Sequence, residues 1–273
     1  MKKKKIVSRV ILNLIFIIGS LICLIPFFLA LVNSLKTAPE AQRLQLSLPT
    51  EYHFENFETV IVEANLLRAA VNGLIYGISS VAVTILLCSI AAYVIARRSD
   101  RWAKSVNTYL TLGIILPMAL IPTFVILKVM GLLGTYPGLI LVYISGSISM
   151  SIFLYRGFIA DIPRELDEAA FVDGAGTMRT FYQIIFPTLK PITATVSVLT
   201  FMNVWNDFST QLYFGTQEMR GMPLSVYNFF GKYSQSWNLV FADVILTMIP
   251  VVVVYIFAQK YIISGMTSGA VKG

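Results

Sequence analysis

The polar side chains capable of chemistry fall into two groups. Asn203, Trp205, Asn206 and Asp207, with Gln211 and Tyr213 just beyond, combine amides, a carboxylate and aromatic faces. Those types suit a polyhydroxylated ligand such as a sugar, whose hydroxyls need paired donors and acceptors while its ring faces stack on aromatics. A plainer reading stands beside it, because aromatic and polar residues gather at the water interface of any membrane span. The second group lies within 161–187, where Glu168 and Asp173 stand among Ala169, Ala170, Gly174 and Met178. Charge beside small side chains and glycine is material for a contact rather than for making bonds.

The signatures of enzymes are missing. A phosphate-cradling loop needs G-x-x-x-x-G-K-[ST] after a strand, whereas Gly231-Lys232 is followed by Tyr233 and lacks the upstream glycine. His53 is the single histidine, and Cys23 and Cys88 both sit in apolar runs, so no metal cluster or disulfide is expected. H-E-x-x-H, G-x-S-x-G and C-x-x-C are absent as well. The chain reads as neither an ATPase nor an intramembrane enzyme, with no cofactor of its own.

The elements that position these groups are membrane helices. Of the 273 residues, 56% are hydrophobic and 13% charged, more apolar surface than one soluble core of this length can hide. A helix needs about 20 apolar residues to cross the hydrocarbon core, and stretches of that kind run over 10–32, 71–96, 109–129, 137–155, 188–208 and 239–261. The fold expected is all-α, a polytopic transmembrane bundle of about six spans forming a single domain, 1–273. Only Gly131, Gly134, Tyr136 and Pro137 separate the third span from the fourth, so one re-entrant element is the alternative there. The first stretch lacks a small-residue cleavage site and reads as a retained helix, not a signal peptide. Pro26, Pro117, Pro122 and Pro250 are candidate kinks. Asn72 and the Gly73-x-x-x-Gly77 spacing suggest helix packing, with lining of a path as the alternative.

The net charge of +7 comes from short basic clusters beside apolar runs, which is topology signalling and not a nucleic-acid stripe. Placing the amino terminus inside puts Lys2 to Lys5, Arg97, Arg98, Arg101, Lys104, Arg156, Arg164, Arg179 and Lys190 on the cytoplasmic side. Both termini are then cytoplasmic, and two long outer segments, 33–70 and 209–238, offer an external surface.

The inner segment 156–187 has helical character. Asp161, Pro163, Arg164 and Glu165 form a helix-start signal. Gly174 and Gly176 break that helix, and Thr177 is placed to cap a second one, in which Met178, Phe181, Tyr182 and Ile185 recur at i, i+3, i+4 and i+7. Physically this knob fits an interfacial anchor and a docking element equally.

A resemblance separates the two. Glu168-Ala169-Ala170, three residues, Gly174, nine residues, Ile184, one residue, Phe186 and Pro187 resembles the EAA motif of ABC importer permeases, with Phe186 where the usual form has leucine. Ala91-Ala92-Tyr93 with Ala96-Arg97, Pro117 and Pro122, Trp205-Asn206-Asp207-Phe208, Gln259 and the ending from Gly265 to Gly273 are similar to the carbohydrate-uptake branch and its six-span maltose-type permease.

The resemblance implies a coupling helix docked in a cleft of an ATPase. Glu168 would make a charged contact, Ala169 and Ala170 would allow close approach, Gly174 would form the turn, and Asp173 and Met178 would stand beside them. It further implies a dimer of ATP-binding subunits carrying ATP and Mg, a second homologous permease, an external solute-binding protein and a place in the bacterial plasma membrane. The ending, Gly269 to Gly273, would touch the ATPases. The substrate path would include Asn203, Trp205, Asn206, Asp207 and Tyr213. An importer of a non-sugar solute is the alternative. An ion- or proton-driven secondary transporter is the more distant one, and the charged midplane residues and inverted repeats it calls for are not evident.

Overall fold

The computed structural model describes residues 2–229 and 236–270, with side chains described for 11–229, 236–257 and 259. Gly231, Lys232 and the ending Val271 to Gly273 lie outside the described residues, as do the side chains of the amino-terminal lysines. Every described element is helical. In chain order the main helices are α1 (Lys2–Ser34), α2 (Glu55–Glu63), α3 (Leu66–Arg97), α4 (Arg101–Ile115), α5 (Leu120–Val129), α6 (Tyr136–Ala160), α7 (Glu165–Val172), α8 (Thr177–Thr188), α9 (Lys190–Asn206), α10 (Ser209–Phe214) and α11 (Trp237–Ala270).

Among the described residues, four helices are long and apolar enough to cross a membrane: Ile11–Ser34 of α1, α3, α6 and Trp237–Phe257 of α11. Two bent pairs raise the number to six if each is one span, α4 with α5 at 112° and α8 with α9 at 78°. The stretch 109–129, expected as one span with candidate kinks at Pro117 and Pro122, is bent sharply at a break after Ile115. Proline disfavours the helical conformation in the residue before it, and Leu116, which precedes Pro117, is extended at φ −76°, ψ 125°. The stretch 188–208 begins at Lys190, with Pro191 in its first turn, where the missing N–H costs no hydrogen bond. Pro26 and Pro250 lie inside continuous helices.

The chain divides into two compact units, residues 1–67 with 225–249, and residues 68–224 with 250–273. In the first unit, α1 leaves Ile15, Phe16 and Ile22 more than half exposed, as a lipid-facing surface requires. Its connecting segment is folded, not open. Lys36 is buried and donates to Asn33 Oδ1 at 3.1 Å and to the Gln45 carbonyl at 2.8 Å. Burial lowers its pKa, and the nearby Glu40 opposes that shift. Asn56 donates to the Ser34 and Lys36 carbonyls at 2.8 and 3.0 Å and accepts from Asn238 at 2.9 Å.

Asp243 is fully buried, with the Ser225 hydroxyl 2.9 and 2.8 Å from its two oxygens and the Thr247 hydroxyl at 3.3 Å. A carboxylate thus sits inside a span where the sequence reading found no clear charge. Hydroxyl donors satisfy it locally, which is what a buried polar group requires.

Among its described residues the second unit shows two apolar clusters. One joins Cys88 and Tyr93 of α3 to Tyr155 of α6, Phe181 and Ile185 of α8, and Val196 of α9. The other gathers Tyr76, Leu139, Tyr143, Val204, Phe214 and Met219. Each borders one of the two polar groups singled out by the sequence.

Candidate functional site

Helix α7 starts at Glu165, with Arg164 as its N-cap residue and no side-chain cap. Asp161, expected to start this helix, instead closes α6 as its C-cap residue. The acidic Glu165, Asp167 and Glu168 occupy the first turn of α7, where they face the positive end of the helix dipole.

At the other end Gly174 adopts φ +78°, its N–H bonds the Phe171 carbonyl at 3.0 Å, and the Ala175 N–H reaches back to the Ala170 carbonyl at 2.9 Å. That pair of bonds is the Schellman closure, which satisfies carbonyls the helix end would leave open. Gly176, not Thr177, is the N-cap residue of α8.

The expected apolar row on α8 is split. Phe181 and Ile185 are buried, while Met178 and Tyr182 are 57% and 44% exposed. A π turn over Phe181–Ile185 adds a residue to the local repeat, so the 3.6-residue spacing does not carry through. Around this turn α7 presents Glu168, Ala169, Val172 and Asp173 outward, whereas Ala170 is buried at 3% exposure. The two alanines therefore part: Ala169 belongs to the open face, and Ala170 to the inner one.

The inner face of α7 also carries Asp167. One of its oxygens accepts from the Tyr93 hydroxyl at 2.5 Å, and the other lies 2.8 Å from Arg97 Nη2. Arg97 also donates to the Ile162 carbonyl at 3.1 Å. Beside this group lies a cavity of about 370 Å³ whose lining includes Arg98, Arg164, Glu168 and Phe171. Arg98 pairs with Asp100, and that contact, helped by the Ala103 N–H, holds the Asp100 carboxyl below its ordinary range. Sequence reasoning missed this group, although Tyr93 and Arg97 at i and i+4 on one helix face were its signal.

The second site sits where α9 ends. Asn203 and Asp207, one turn apart, line a cavity of about 190 Å³ together with Tyr143, Ser147 and Thr210. Asp207 accepts from the Tyr143 hydroxyl at 3.1 Å and the Thr210 N–H at 3.0 Å, and Gln211 donates to Tyr143 at 3.1 Å and to the Asp207 carbonyl at 3.2 Å. Gln211 also accepts from the Gly221 N–H.

Asn206 and Tyr213 are exposed and do not line this cavity. Trp205, expected on a substrate path, is 2% exposed and stacks on Phe201 with ring centroids 5.6 Å apart. A Cβ on Gly73 would stand 3.0 Å from the Trp205 ring; the small residue is what lets α3 come this close. Asn72 is a packing residue too, donating to the Glu218 and Arg220 carbonyls at 2.9 and 3.0 Å and accepting from Tyr136 at 2.7 Å. Tyr143 and Ser147 were not foreseen. Their signal was a pair of polar residues at i and i+4 in an apolar run.

Residues 84–268 match the family described as "Binding-protein-dependent transport system inner membrane component". The "Melibiose/raffinose/stachyose import permease protein MelC" of Bacillus subtilis (strain 168) is 33% identical over 277 residues, covering 100% of both chains. The "Probable starch degradation products transport system permease protein AmyC" of Thermoanaerobacterium thermosulfurigenes is 33% identical over 273 residues, covering 99% of each. In fold, the chain is similar to one in the crystal structure of a bacterial ABC transporter involved in the import of the acidic polysaccharide alginate, with TM-score 0.79 at 21% identity over 93% of this chain and 96% of that one. A match over more than half the chain, together with full-length relatives at this identity, places a multi-pass helical membrane protein: it belongs to the family of inner membrane components of binding-protein-dependent transport systems and is a permease subunit of such an importer.

Proposed function

We propose that this permease carries a sugar or oligosaccharide and takes its drive from ATP hydrolysed by a partner. The observation that carries the reading is the outward face of α7, where Glu168, Ala169 and Asp173 stand on a turn fixed by Gly174. A short, rigid, charged element with a small side chain at its centre is shaped to enter a cleft in another protein. In this reading it docks on a dimer of ATP-binding subunits, which hold ATP and Mg, while the chain itself holds no nucleotide and catalyses nothing. A second homologous permease completes the path, an external solute-binding protein delivers the solute, and lipid surrounds the bundle. In this reading the chain lies in a bacterial plasma membrane with both termini cytoplasmic, an orientation that the clustering of basic residues supports.

Replacing Glu168 by alanine is expected to reduce ATPase co-purification and solute uptake about fivefold, the effect of losing ~1 kcal/mol at an interface. Pull-down from membranes with a tagged chain, read beside uptake, makes the test. Unchanged values in both would sink the docking reading.

The sugar assignment draws on relatives named for melibiose, raffinose, stachyose and starch products and on the hydroxyl, amide and carboxylate lining of the cavity at Asn203 and Asp207. Asp207→Asn removes a charged acceptor and is expected to raise the KM of sugar uptake about five- to tenfold, equivalent to ~1–1.4 kcal/mol, with ATPase docking unaffected. A KM that does not move in Asp207→Asn or Asn203→Ala would remove this cavity from the path.

A further inference from the structure

We infer that Tyr93, Arg97 and Asp167 form a buried clamp that carries movement of α7 into α3, with Asp167 as its positioning residue. The inference rests on the docking role proposed for α7 and names how that role reaches the membrane.

Helix α7 is poorly anchored by apolar contact. Of its eight residues only Asp167 and Ala170 are buried. Its neighbour α8 is different, because Phe181 and Ile185 sit in an apolar cluster with α3, α6 and α9. What holds α7 is therefore polar and converges on one carboxylate. The Tyr93 hydroxyl takes one oxygen at 2.5 Å and the Arg97 guanidinium faces the other at 2.8 Å. Tyr93 and Arg97 lie one turn apart on α3, so a single carboxylate bridges a full turn of that helix.

Arg97 holds the chain again at the Ile162 carbonyl, 3.1 Å away, just before α7 begins. On the far side of α7, Phe181 packs on the Tyr93 ring with centroids 5.3 Å apart. Points before, within and after α7 thus meet the same turn of α3. The arginine and aspartate side chains are 15% and 11% exposed. At that depth an ion pair is screened far less than at the surface, and its geometry is costly to deform. Glu168, on the outward face, is the next residue in the chain. A push delivered there reaches α3 through Asp167 with no flexible segment between.

The test uses the full importer, this chain with its partner permease and ATPases, and needs no identified solute. Cys88 of α3 is buried at 1% exposure, lies five residues before Tyr93, and has only Cys23 as a second cysteine. In a Cys23→Ser background, the rate at which a membrane-permeant maleimide labels Cys88 is compared between nucleotide-free complex and complex trapped with ATP and vanadate. The clamp predicts a rate ratio of about threefold or more in the parent, reflecting a shift between two states of α3. In Asp167→Asn the ratio falls to about one, although the ATPases still co-purify. Asp167→Glu, which keeps the charge, restores at least half of the response.

A merely structural role would lower the yield of assembled complex and leave the ratio intact in what assembles. If Asp167→Asn fails to assemble, Tyr93→Phe, which removes one hydroxyl, is read by the same ratio. A parent ratio of one, or a full ratio in Asp167→Asn, overturns the clamp. Glu168→Ala separates the two ideas: loss of response there with a full response in Asp167→Asn overturns the clamp alone, whereas unchanged docking and response in Glu168→Ala overturns the docking reading.

Discussion

Gly138→Ala is expected to lower the ratio of folded to unfolded chain about a hundredfold, roughly 3 kcal/mol, at the upper end of what overpacking costs. Gly138 lies in the first turn of α6. A Cβ there would lie 2.1 Å from the Leu132 carbonyl oxygen and 3.0 Å from its carbon. The obstacle is backbone, not the tip of a flexible side chain. It is also pinned, because the Leu132 carbonyl accepts from the Thr135 hydroxyl at 2.7 Å and the Thr135 N–H at 3.3 Å. The Thr135 hydroxyl oxygen in turn accepts from the Gly138 N–H at 3.2 Å. One methyl group therefore disturbs the cap of α6, the helix that delivers Tyr143 and Ser147 to the intramembrane cavity. Thermal unfolding in detergent, followed by size-exclusion fluorescence, measures the effect. Gly157→Ala is the internal control: the same helix has open space around that position, and alanine there should be neutral or stabilising by about 0.5–1 kcal/mol. Equal melting of the two variants would show that the turn at Leu132 yields more readily than its bonds imply.

Gly174→Val acts through the backbone alone. Nothing lies within 4 Å of a Cβ built on Gly174, yet its φ is +78°, a region that costs an ordinary residue about 1–2 kcal/mol and a β-branched one more. The strain is relieved only by opening the turn. Opening it breaks the 2.9 Å bond from Ala175 to the Ala170 carbonyl and turns the Glu168 face away from its partner. Uptake is expected to fall at least about tenfold, the consequence of 1.4 kcal/mol or more, with little change in melting temperature. Asparagine tolerates left-handed backbone far better than valine, so Gly174→Asn should keep uptake within about threefold of the parent. If valine and asparagine behave alike, the conformation at this residue is not what positions the face.

The two glycines show different degrees of legibility. Gly174 could be read from sequence because it follows a helical patch and stands in register with Glu168 and Pro187. Gly138 could not, since its constraint is a carbonyl six residues earlier that only the folded turn brings near. The same division runs through both sites. Glu168, Ala169 and Asp173, grouped in the sequence as parts of one contact, are exposed on α7 and its end. Ala170 was grouped with them but is buried, because successive helical residues stand about 100° apart and one of two neighbours turned inward. Met178 and Tyr182 were expected to share a face with Phe181 and Ile185, which holds only while the helix keeps its ordinary repeat. The π turn ends that.

In the membrane, the run of polar residues near the end of α9 was legible as a type and not as an arrangement. Asn203 and Asp207 reach a common cavity, while Trp205 fills the space over Gly73. Pro117 was read as a kink, and whether it bends a span or breaks one depends on what the flanking helices meet.

For the knob and the carboxylate beside it, the sequence alone determined the class. An apolar composition, the clustering of basic residues and the spacing from Glu168 to Pro187 are local or summed properties, which survive without knowledge of any contact. The tertiary structure decided which residues act together. Asp167 is indistinguishable in sequence from its acidic neighbours Glu165 and Glu168. It becomes the anchor of α7 because the fold brings Tyr93 and Arg97, about seventy residues away along the chain, within hydrogen-bonding distance of its two oxygens. Helix periodicity cannot encode a pairing over that separation; only the packing of α3 against the segment that follows α6 creates it.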